Sequence, residues 1–505
     1  MRIKKGLKIV LIIFCMILLF LSFLGYFSAR WYIETYGEMG FDAILYTLFS
    51  GLGGVQEGLV KSYLSAALLP AAVWFLLVGV FLFFTSKRKI SLPLGKRGLL
   101  RLYPFRKAFS CSVSTILAIV LLFQASSMVG LSEYIGSITK RSTLFQREYV
   151  DPNNANISFP KEKKNLIYIY LESMETTFFS KEQGGAMEEN RIPNLYRLAK
   201  ENINFSDHED VGGFKVATGT SWTIGALVAQ TSGLPLKIPS NFQSNTYGAD
   251  SFLPGVTTIN DLLKKQGYYQ AFMIGSFKDF ANRDQFFTQH GVDRIYDLNS
   301  ARADGIVPPK YHQWWGMEDK HLYTYAKQEL TKIAQKDQPF SFTMLTVDTH
   351  HVGGYFCSEC ENVHQEQYEN VYSCADRQLD AFISWLKEQP FYENTTIMIC
   401  GDHASMDHAY MERNLEEGYS RHIYNCIINS SAEAHNTKNR IFNAMDLFPT
   451  TLAAMGCTFD GDRLGIGTNL FSDTPTLAEE KGSTEALNVE IRKNSPFYLS
   501  KFILQ

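Results

Sequence analysis

Two carboxylates and an imidazole, each set directly behind an apolar run, are the residues of this 505-residue chain best suited to chemistry. Glu172 follows NLIYIYL, and Asp402–His403 follows TTIMIC and Gly401. A further polar group, Asp348–Thr349–His350, follows SFTMLTV. Oxygen and nitrogen donors of this kind suit a divalent cation such as Mn²⁺, Zn²⁺ or Mg²⁺. A bare Asp-His dipeptide is ordinarily a solvated loop. Three polar groups behind three strand-like runs are a different matter, because parallel strands present functional residues at their carboxyl ends. Gly401 is expected to permit the irregular turn that adjacent ligands need. Asp407 and His408 follow closely and suit an exposed loop better than a supporting role.

Such a metal site needs a nucleophile. The segment 216–229, VATGTSWTIGALVA, is a hydroxyl-rich, Gly-punctuated turn before an apolar helical stretch. A hydroxyl at a helix start lies beside unpaired N–H groups and the positive end of the helix dipole. A metal there would lower the hydroxyl pKa and polarise a bound phosphoryl group. Thr218, Thr220, Ser221 and Thr223 all qualify on residue type, and simple N-capping accounts for at least one of them.

The elements that must position these residues alternate. Strands are expected at Asn165–Leu171, Tyr269–Ile274, Ser341–Val347, Thr395–Cys400 and Ile423–Ile428. Helices are expected at Ile192–Glu201, Thr258–Gln266, Glu318–Ala334, Gln365–Lys387 and Met445–Met455. This order predicts an α/β domain, a mostly parallel sheet flanked by helices.

The whole-chain averages, a net charge of -3 and a mean hydropathy of -0.10, hide two unlike parts. Residues 1–132 carry 14 basic and 4 acidic side chains, and the remainder carries 34 and 47. Within 1–132, three stretches lack any charge: Ile9–Ala29, Ser62–Ser86 and Ala108–Ser132. Each reaches the roughly 20 residues a helix needs to cross a bilayer. The first is too long for a cleaved signal's apolar core and is read as a retained helix. Phe41–Gly54 is apolar but short, and lies at the interface or begins the second span. Eight Lys/Arg and no acidic residue fall between Lys87 and Lys107. Basic loops stay cytoplasmic, so residues beyond about 132 are expected outside a membrane that the chain crosses several times. The acidic outer part gives no case for nucleic acid as a partner. The domains are then a transmembrane anchor over 1–132, with spans at about 9–29, 62–86 and 108–132, and a polar connector over 133–164. A catalytic domain follows over 165–472, with a peripheral tail over 473–505.

The order LES, GTSWT, VDTHH, GDH and MDLFPT, over roughly 160–472, resembles the alkaline phosphatase/sulfatase superfamily. Within it the chain is most similar to membrane-anchored phosphoglycerol transferases, the group that includes lipoteichoic acid synthases and enzymes that modify periplasmic glucans. The resemblance implies one Mn²⁺, with Zn²⁺ or Mg²⁺ as alternatives, held by Glu172, Thr220, Asp402 and His403. It implies Thr220 as the nucleophile, since it follows Gly219 in the position of the family's Thr. It implies His350 as a phosphate contact and general acid or base. The donor would be phosphatidylglycerol in the lipid bilayer, diacylglycerol would leave, and an extracytoplasmic glycan or glycolipid would accept glycerol phosphate. Arg283 matches the arginine of the Phe-Trp-Asn-Arg motif that grips glycerol phosphate. Ala281 and Ile274 depart from that motif's Trp and its upstream His, which counts against polyglycerol phosphate synthesis, whereas FANRDQFFTQHG and RLGIGTNLFS (Arg463–Ser472) are more similar to the glucan-modifying branch. A phosphoethanolamine transferase with the same Thr and metal is the first alternative, and a non-enzymatic tethered binding protein the second. A phosphodiesterase or phosphatase is a third. Sulfate-ester hydrolysis is rejected because the nucleophile region lacks a Cys/Ser-x-Pro-x-Arg motif.

Other residues read more plainly. Trp314, Trp315 and Tyr311 suit either stacking on a sugar or packing beneath a loop, and Lys215 suits solvent. Cys357, Cys360 and Cys374 would need a fourth ligand, His351 or His364, to bind zinc. Outside the cytoplasm a disulfide among them is the expected state.

Overall fold

The computed structural model describes residues 2–37, 41–50, 57–87, 91–93, 99–101, 106–238 and 251–504. Most of the basic loop Lys87–Lys107, and the end of the segment Phe41–Gly54, lie outside the described residues. The chain divides into two units: Met1–Phe41 with Val55–Glu133, and Asp42–Gly54 with Tyr134–Gln505.

Three helices of the first unit are long and apolar enough to cross a membrane, over Val10–Tyr36, Gly58–Leu82 and Cys111–Met128. Leu19, Phe23, Ala71 and Leu121 form their small shared core. Most of their other large side chains, Phe14, Leu76, Phe81 and Phe123 among them, face outward, as hydrocarbon solvent allows. The second helix widens into a π-turn at Leu64–Leu68, just ahead of Pro70. A proline ring has no N–H and crowds the preceding turn, and a π-turn is one way a helix accommodates it.

The second unit is built on a seven-stranded sheet. Its strands are β1 (Asn165–Leu171), β2 (Gly213–Phe214), β3 (Tyr269–Ile274), β4 (Arg294–Tyr296), β5 (Phe340–Leu345), β6 (Thr395–Gly401) and β7 (Ile423–Ile428). Their order is β2-β7-β6-β1-β5-β3-β4. The five strands from β6 to β4 run parallel, and β7 and β2 are antiparallel additions at one edge. Every residue of β1, β5, β6 and β7 is buried. That is why these segments read as unbroken apolar runs rather than alternating ones: helices cover both faces. The register pairs Leu171 with Gly401, and Tyr170 and Ile274 with Leu345. Four parallel strands therefore end together on one edge.

Two expectations change here. The strand read as Ser341–Val347 ends at Leu345. The buried Asp319 carboxylate accepts the N–H groups of Val347 and Asp348 at 2.8 and 3.1 Å, which takes them from the sheet ladder. Residues 473–505 are not a peripheral tail. They form the helices Leu477–Glu480 and Thr484–Arg492 and bury Leu487, Ile491, Tyr498 and Phe502. The Tyr498 hydroxyl donates to the Pro235 carbonyl at 2.7 Å, and Phe502 packs edge-on against Tyr149. The 133–164 stretch is also tied into this unit, through bridges from Arg141 to Asn494, Val150 to Gly465 and Ser158 to Thr458.

Candidate active site

Glu172 follows β1 directly, and Asp402 and His403 follow β6. Sheet register therefore brings their side chains together. One ligand atom from each lies within 4.8 Å of the others, and all three residues are buried. His403 Nε2 is 3.3 Å from Asp402 Oδ2 and 3.6 Å from Glu172 Oε1. The chain turns at Ser173, whose left-handed φ of 54° is costly for a residue with a Cβ. The turn aims the Ser173 N–H at Asp402 Oδ1 (2.8 Å) and its hydroxyl at Glu172 Oε1 (2.6 Å). Gly401 has a different role from the one expected. A Cβ there would fall 2.0 Å from the Met174 carbonyl oxygen, so close approach of two chain segments requires the glycine.

The donors fit a divalent cation. Asp402 Oδ2 is buried without a hydrogen-bond partner. His403 Nδ1 is 2.9 Å from the Ala404 carbonyl, so it carries the proton and leaves the Nε2 lone pair for a metal. Burial, with Glu172 beside it, pushes the Asp402 carboxyl up to about 7. Burial alone would depress His403, yet Asp402 and Glu172 raise it on balance. Two adjacent buried carboxylates are thus poorly compensated by the imidazole alone, and a cation would relieve them.

The hydroxyl beside this cluster belongs to Thr223, not Thr220. Thr223 opens the helix Thr223–Ser232, and its Oγ1 is 3.3 Å from His403 Nε2. Thr220 is buried in the preceding turn, where its hydroxyl donates to the Ala217 carbonyl at 2.9 Å and accepts from the Ala217 N–H at 3.2 Å. The expectation of Thr220 as a ligand is therefore corrected: its oxygen closes a turn. Gln230, wholly buried on the same helix, ties that helix to the sheet. Its Oε1 accepts from the Tyr168 hydroxyl at 2.7 Å, and its Nε2 donates to the Gly401 carbonyl at 3.3 Å.

Glu172 and Thr223 line a pocket with Ser276, Arg283, Trp315 and His350. Arg283 arrives through left-handed Ala281 and Asn282. Its guanidinium bonds the Ser276 hydroxyl at 2.9 Å and the Phe280 carbonyl at 3.0 Å. His350 follows β5, and its Nδ1 is 2.8 Å from the His351 carbonyl, which leaves Nε2 as an acceptor. Burial, aided by the nearby His403 and Arg283 charges, lowers its pKa to about 4. Thr346 and Thr349 latch this strand end to β1, meeting the Glu172 N–H at 2.9 Å and its carbonyl at 2.5 Å.

Of the aromatic residues, Trp315 lies against His350 with ring centres 4.5 Å apart, whereas the Trp314 indole donates to the Val347 carbonyl. Asp407 caps the helix His408–Asn414 and accepts from the Gly353 N–H. His408 is partly exposed beside Glu412, and Lys215 pairs with Glu485. Sequence reasoning missed the buttress at Glu175. This buried carboxylate takes Arg421 in a two-pronged pair and the Ser405 N–H at 3.0 Å, which fixes the chain just after His403. Neither residue stands behind an apolar strand run in a way that would have flagged it. Cys357, Cys360 and Cys374 cluster as free thiols instead of the expected disulfide. His364 Nε2 is 3.1 Å from the Ser373 hydroxyl.

Comparison with known proteins gives a consistent picture. The family profile described as Sulfatase matches residues 164–457. Phosphoglycerol transferase I of Escherichia coli is 29% identical over 445 residues, covering 85% of this chain and 53% of that protein. Phosphoglycerol transferase I of Xanthomonas campestris is 31% identical over 255 residues, covering 49% and 34%. The chain thus spans about half the length of the curated relatives it matches. The integral membrane lipooligosaccharide phosphoethanolamine transferase A of Neisseria meningitidis shares the fold, with a TM-score of 0.52 at 12% identity, covering 88% of this chain and 84% of that one.

Proposed function

The chain belongs to the sulfatase family, and from that premise we propose that it transfers sn-glycerol phosphate from phosphatidylglycerol to an extracytoplasmic glycan or glycolipid through a covalent intermediate on Thr223. The observation that most supports this reading is the 3.3 Å contact between Thr223 Oγ1 and His403 Nε2, at a helix start beside two buried carboxylates. The curated relatives, named phosphoglycerol transferase I, supply the transferred group.

A divalent cation held by Glu172, Asp402, His403 and Thr223, Mn²⁺ by the family resemblance, would lower the hydroxyl pKa and polarise the phosphoryl oxygens. Arg283 pairs with the phosphate through its planar guanidinium. The N–H groups and positive end of the helix Thr223–Ser232 favour the same anion. Thr223 Oγ1 bonds to phosphorus as the bond from phosphorus to the diacylglycerol oxygen breaks, and the proton that Thr223 gives up ends on that oxygen. In the second half the acceptor hydroxyl attacks phosphorus, its proton passes through His350 Nε2, and the Thr223 oxygen departs and takes that proton. His350 is placed for that step because the His351 carbonyl fixes its Nδ1–H and leaves Nε2 as the acceptor.

The anchor brings the site to a lipid donor. With the basic loop 87–107 inside, residues beyond about 132 are on the outer side of a bacterial cell membrane. The test is to incubate purified protein and Mn²⁺ with phosphatidylglycerol or phosphatidylethanolamine and to measure diacylglycerol. Release from phosphatidylglycerol is expected. Release from phosphatidylethanolamine alone would select a phosphoethanolamine transferase. Turnover of neither lipid, with metal bound, would overturn both readings and favour a tethered binding protein.

A further inference from the structure

Cys357, Cys360 and Cys374 have no part in the transfer chemistry above. Cys357 Sγ lies 3.5 Å from Cys360 Sγ and 3.9 Å from Cys374 Sγ, and the three sulfurs fall within 4.8 Å of one another. A disulfide needs about 2.05 Å. Tetrahedral zinc with Zn–S bonds of about 2.3 Å sets its sulfurs roughly 3.8 Å apart, which is the spacing found. Cys357 and Cys374 are buried and Cys360 partly so, so the group is closed to most of the solvent.

We propose that these three side chains bind one zinc-class divalent cation as thiolates. Each thiol gives its proton to solvent on binding.

The surroundings suit that charge. Gln378, one helical turn after Cys374, donates its amide N–H to Cys374 Sγ at 3.3 Å and to Cys357 Sγ at 3.6 Å. Such hydrogen bonds stabilise metal-bound thiolates. With the Gln378 amide N–H groups engaged on the sulfurs, a water from solvent completes the fourth position. Lys320 bonds the hydroxyl of Ser358, the residue after Cys357, at 2.9 Å and pairs with Glu318 at 3.2 Å.

The position gives the site a task. Residues 346–366, between β5 and the helix Gln367–Lys387, form no strand or helix. Connections of that length are uncommon in compact domains and usually need tying down. His350 lies near the start of this stretch, Cys357 and Cys360 lie in its middle, and Cys374 stands on the helix that follows. A cation across the three sulfurs staples the loop to the helix and so limits where His350 can move.

Metal binding itself is testable without activity. The full-length protein, purified in detergent without chelator, is titrated with p-hydroxymercuribenzoate while a chromogenic chelator reports released zinc. One equivalent released in step with thiol modification is expected for the wild type and for Asp402→Asn, and none for Cys374→Ser. Cobalt-loaded Asp402→Asn should show a thiolate-to-cobalt charge-transfer band. The idea fails if wild-type protein releases no zinc as its thiols react, or if non-reducing peptide mapping finds a disulfide between any two of the three. The wild-type and Asp402→Asn arms keep it open to refutation even if Cys374→Ser does not fold.

Discussion

The second unit holds two triads of side chains with metal-binding donor atoms, built in opposite ways. Glu172, Asp402 and His403 come from two strands far apart in sequence, and sheet register alone brings them together. Cys357, Cys360 and Cys374 come from one turn and the next helix, so local spacing already brings them near. The first triad offers oxygen and nitrogen on a rigid edge, and the second offers sulfur on a loop. Rigidity belongs where a reacting group must meet its target within fractions of an ångström. A loop with no regular structure has more to gain from a cross-link.

The largest effect that would test this contrast comes from the hydroxyl at the rigid edge. Thr223→Ala should cut lipid turnover by roughly 10³-fold or more while leaving the folded state and the thiol-bound metal intact. Diacylglycerol release checks the first part, and metal analysis with circular dichroism checks the second. If Thr223→Ala keeps substantial turnover, the edge has been read wrongly.

Next in size is selective metal loss. Asp402→Asn should weaken the transfer-site cation by roughly 10–100-fold or more, judging from what even outer-sphere changes cost. It should leave the thiol-bound metal in place. Equilibrium dialysis against Mn²⁺, beside the mercurial titration, separates the two. Loss of both metals together would merge the triads into one unstable region.

A smaller effect belongs to the turn before the helix. Thr220→Ala removes two hydrogen bonds to Ala217 and should cost about 1–2 kcal/mol of stability. Turnover should stay within a few-fold of wild type. A loss as deep as that of Thr223→Ala would restore Thr220 to the chemistry.

The last effect depends on pH and concerns the helix that carries Cys374. Asp376 on that helix accepts the N–H groups of Asn194 and Leu195, yet burial outweighs these bonds and raises its pKa to about 6. The folded state therefore binds a proton that the unfolded chain has released. The stability this adds is complete below about pH 4 and is lost as pH rises through about 6, with a ceiling of about 3 kcal/mol. Asp376→Asn should flatten the change in unfolding midpoint between pH 4 and 7 relative to wild type. An unchanged slope would show that the carboxyl titrates normally.

The same contrast explains what could be read from sequence. Glu172, Asp402 and His403 were legible because each stands behind a fully apolar run, and a buried parallel strand announces its own end. The strands at Asn165–Leu171, Tyr269–Ile274 and Ile423–Ile428 carry their predicted bounds for that reason. The choice between Thr220 and Thr223 was not legible. Both follow the same pattern of hydroxyls, and only the left-handed Gly219 and the turn closed on Ala217 set one aside and leave the other to start the helix. The Cys-x-x-Cys spacing was visible, but the state of the thiols depends on Cys374 arriving from a helix face. Gln230, Glu175 and Arg421 were missed because a buried polar brace leaves no periodic signal. Strand β4 was missed too, at three residues and partly exposed.

The central claim is that the Thr223 oxygen carries the transferred group. The direct measurement is to incubate the protein with Mn²⁺ and head-group-labelled phosphatidylglycerol without acceptor, quench in acid, and sequence by fragmentation the tryptic peptide spanning 216–237. A glycerol phosphate mass on Thr223 is the predicted result. The same mass on Thr220, or an unmodified peptide from a metal-loaded enzyme that has released diacylglycerol, would contradict the account.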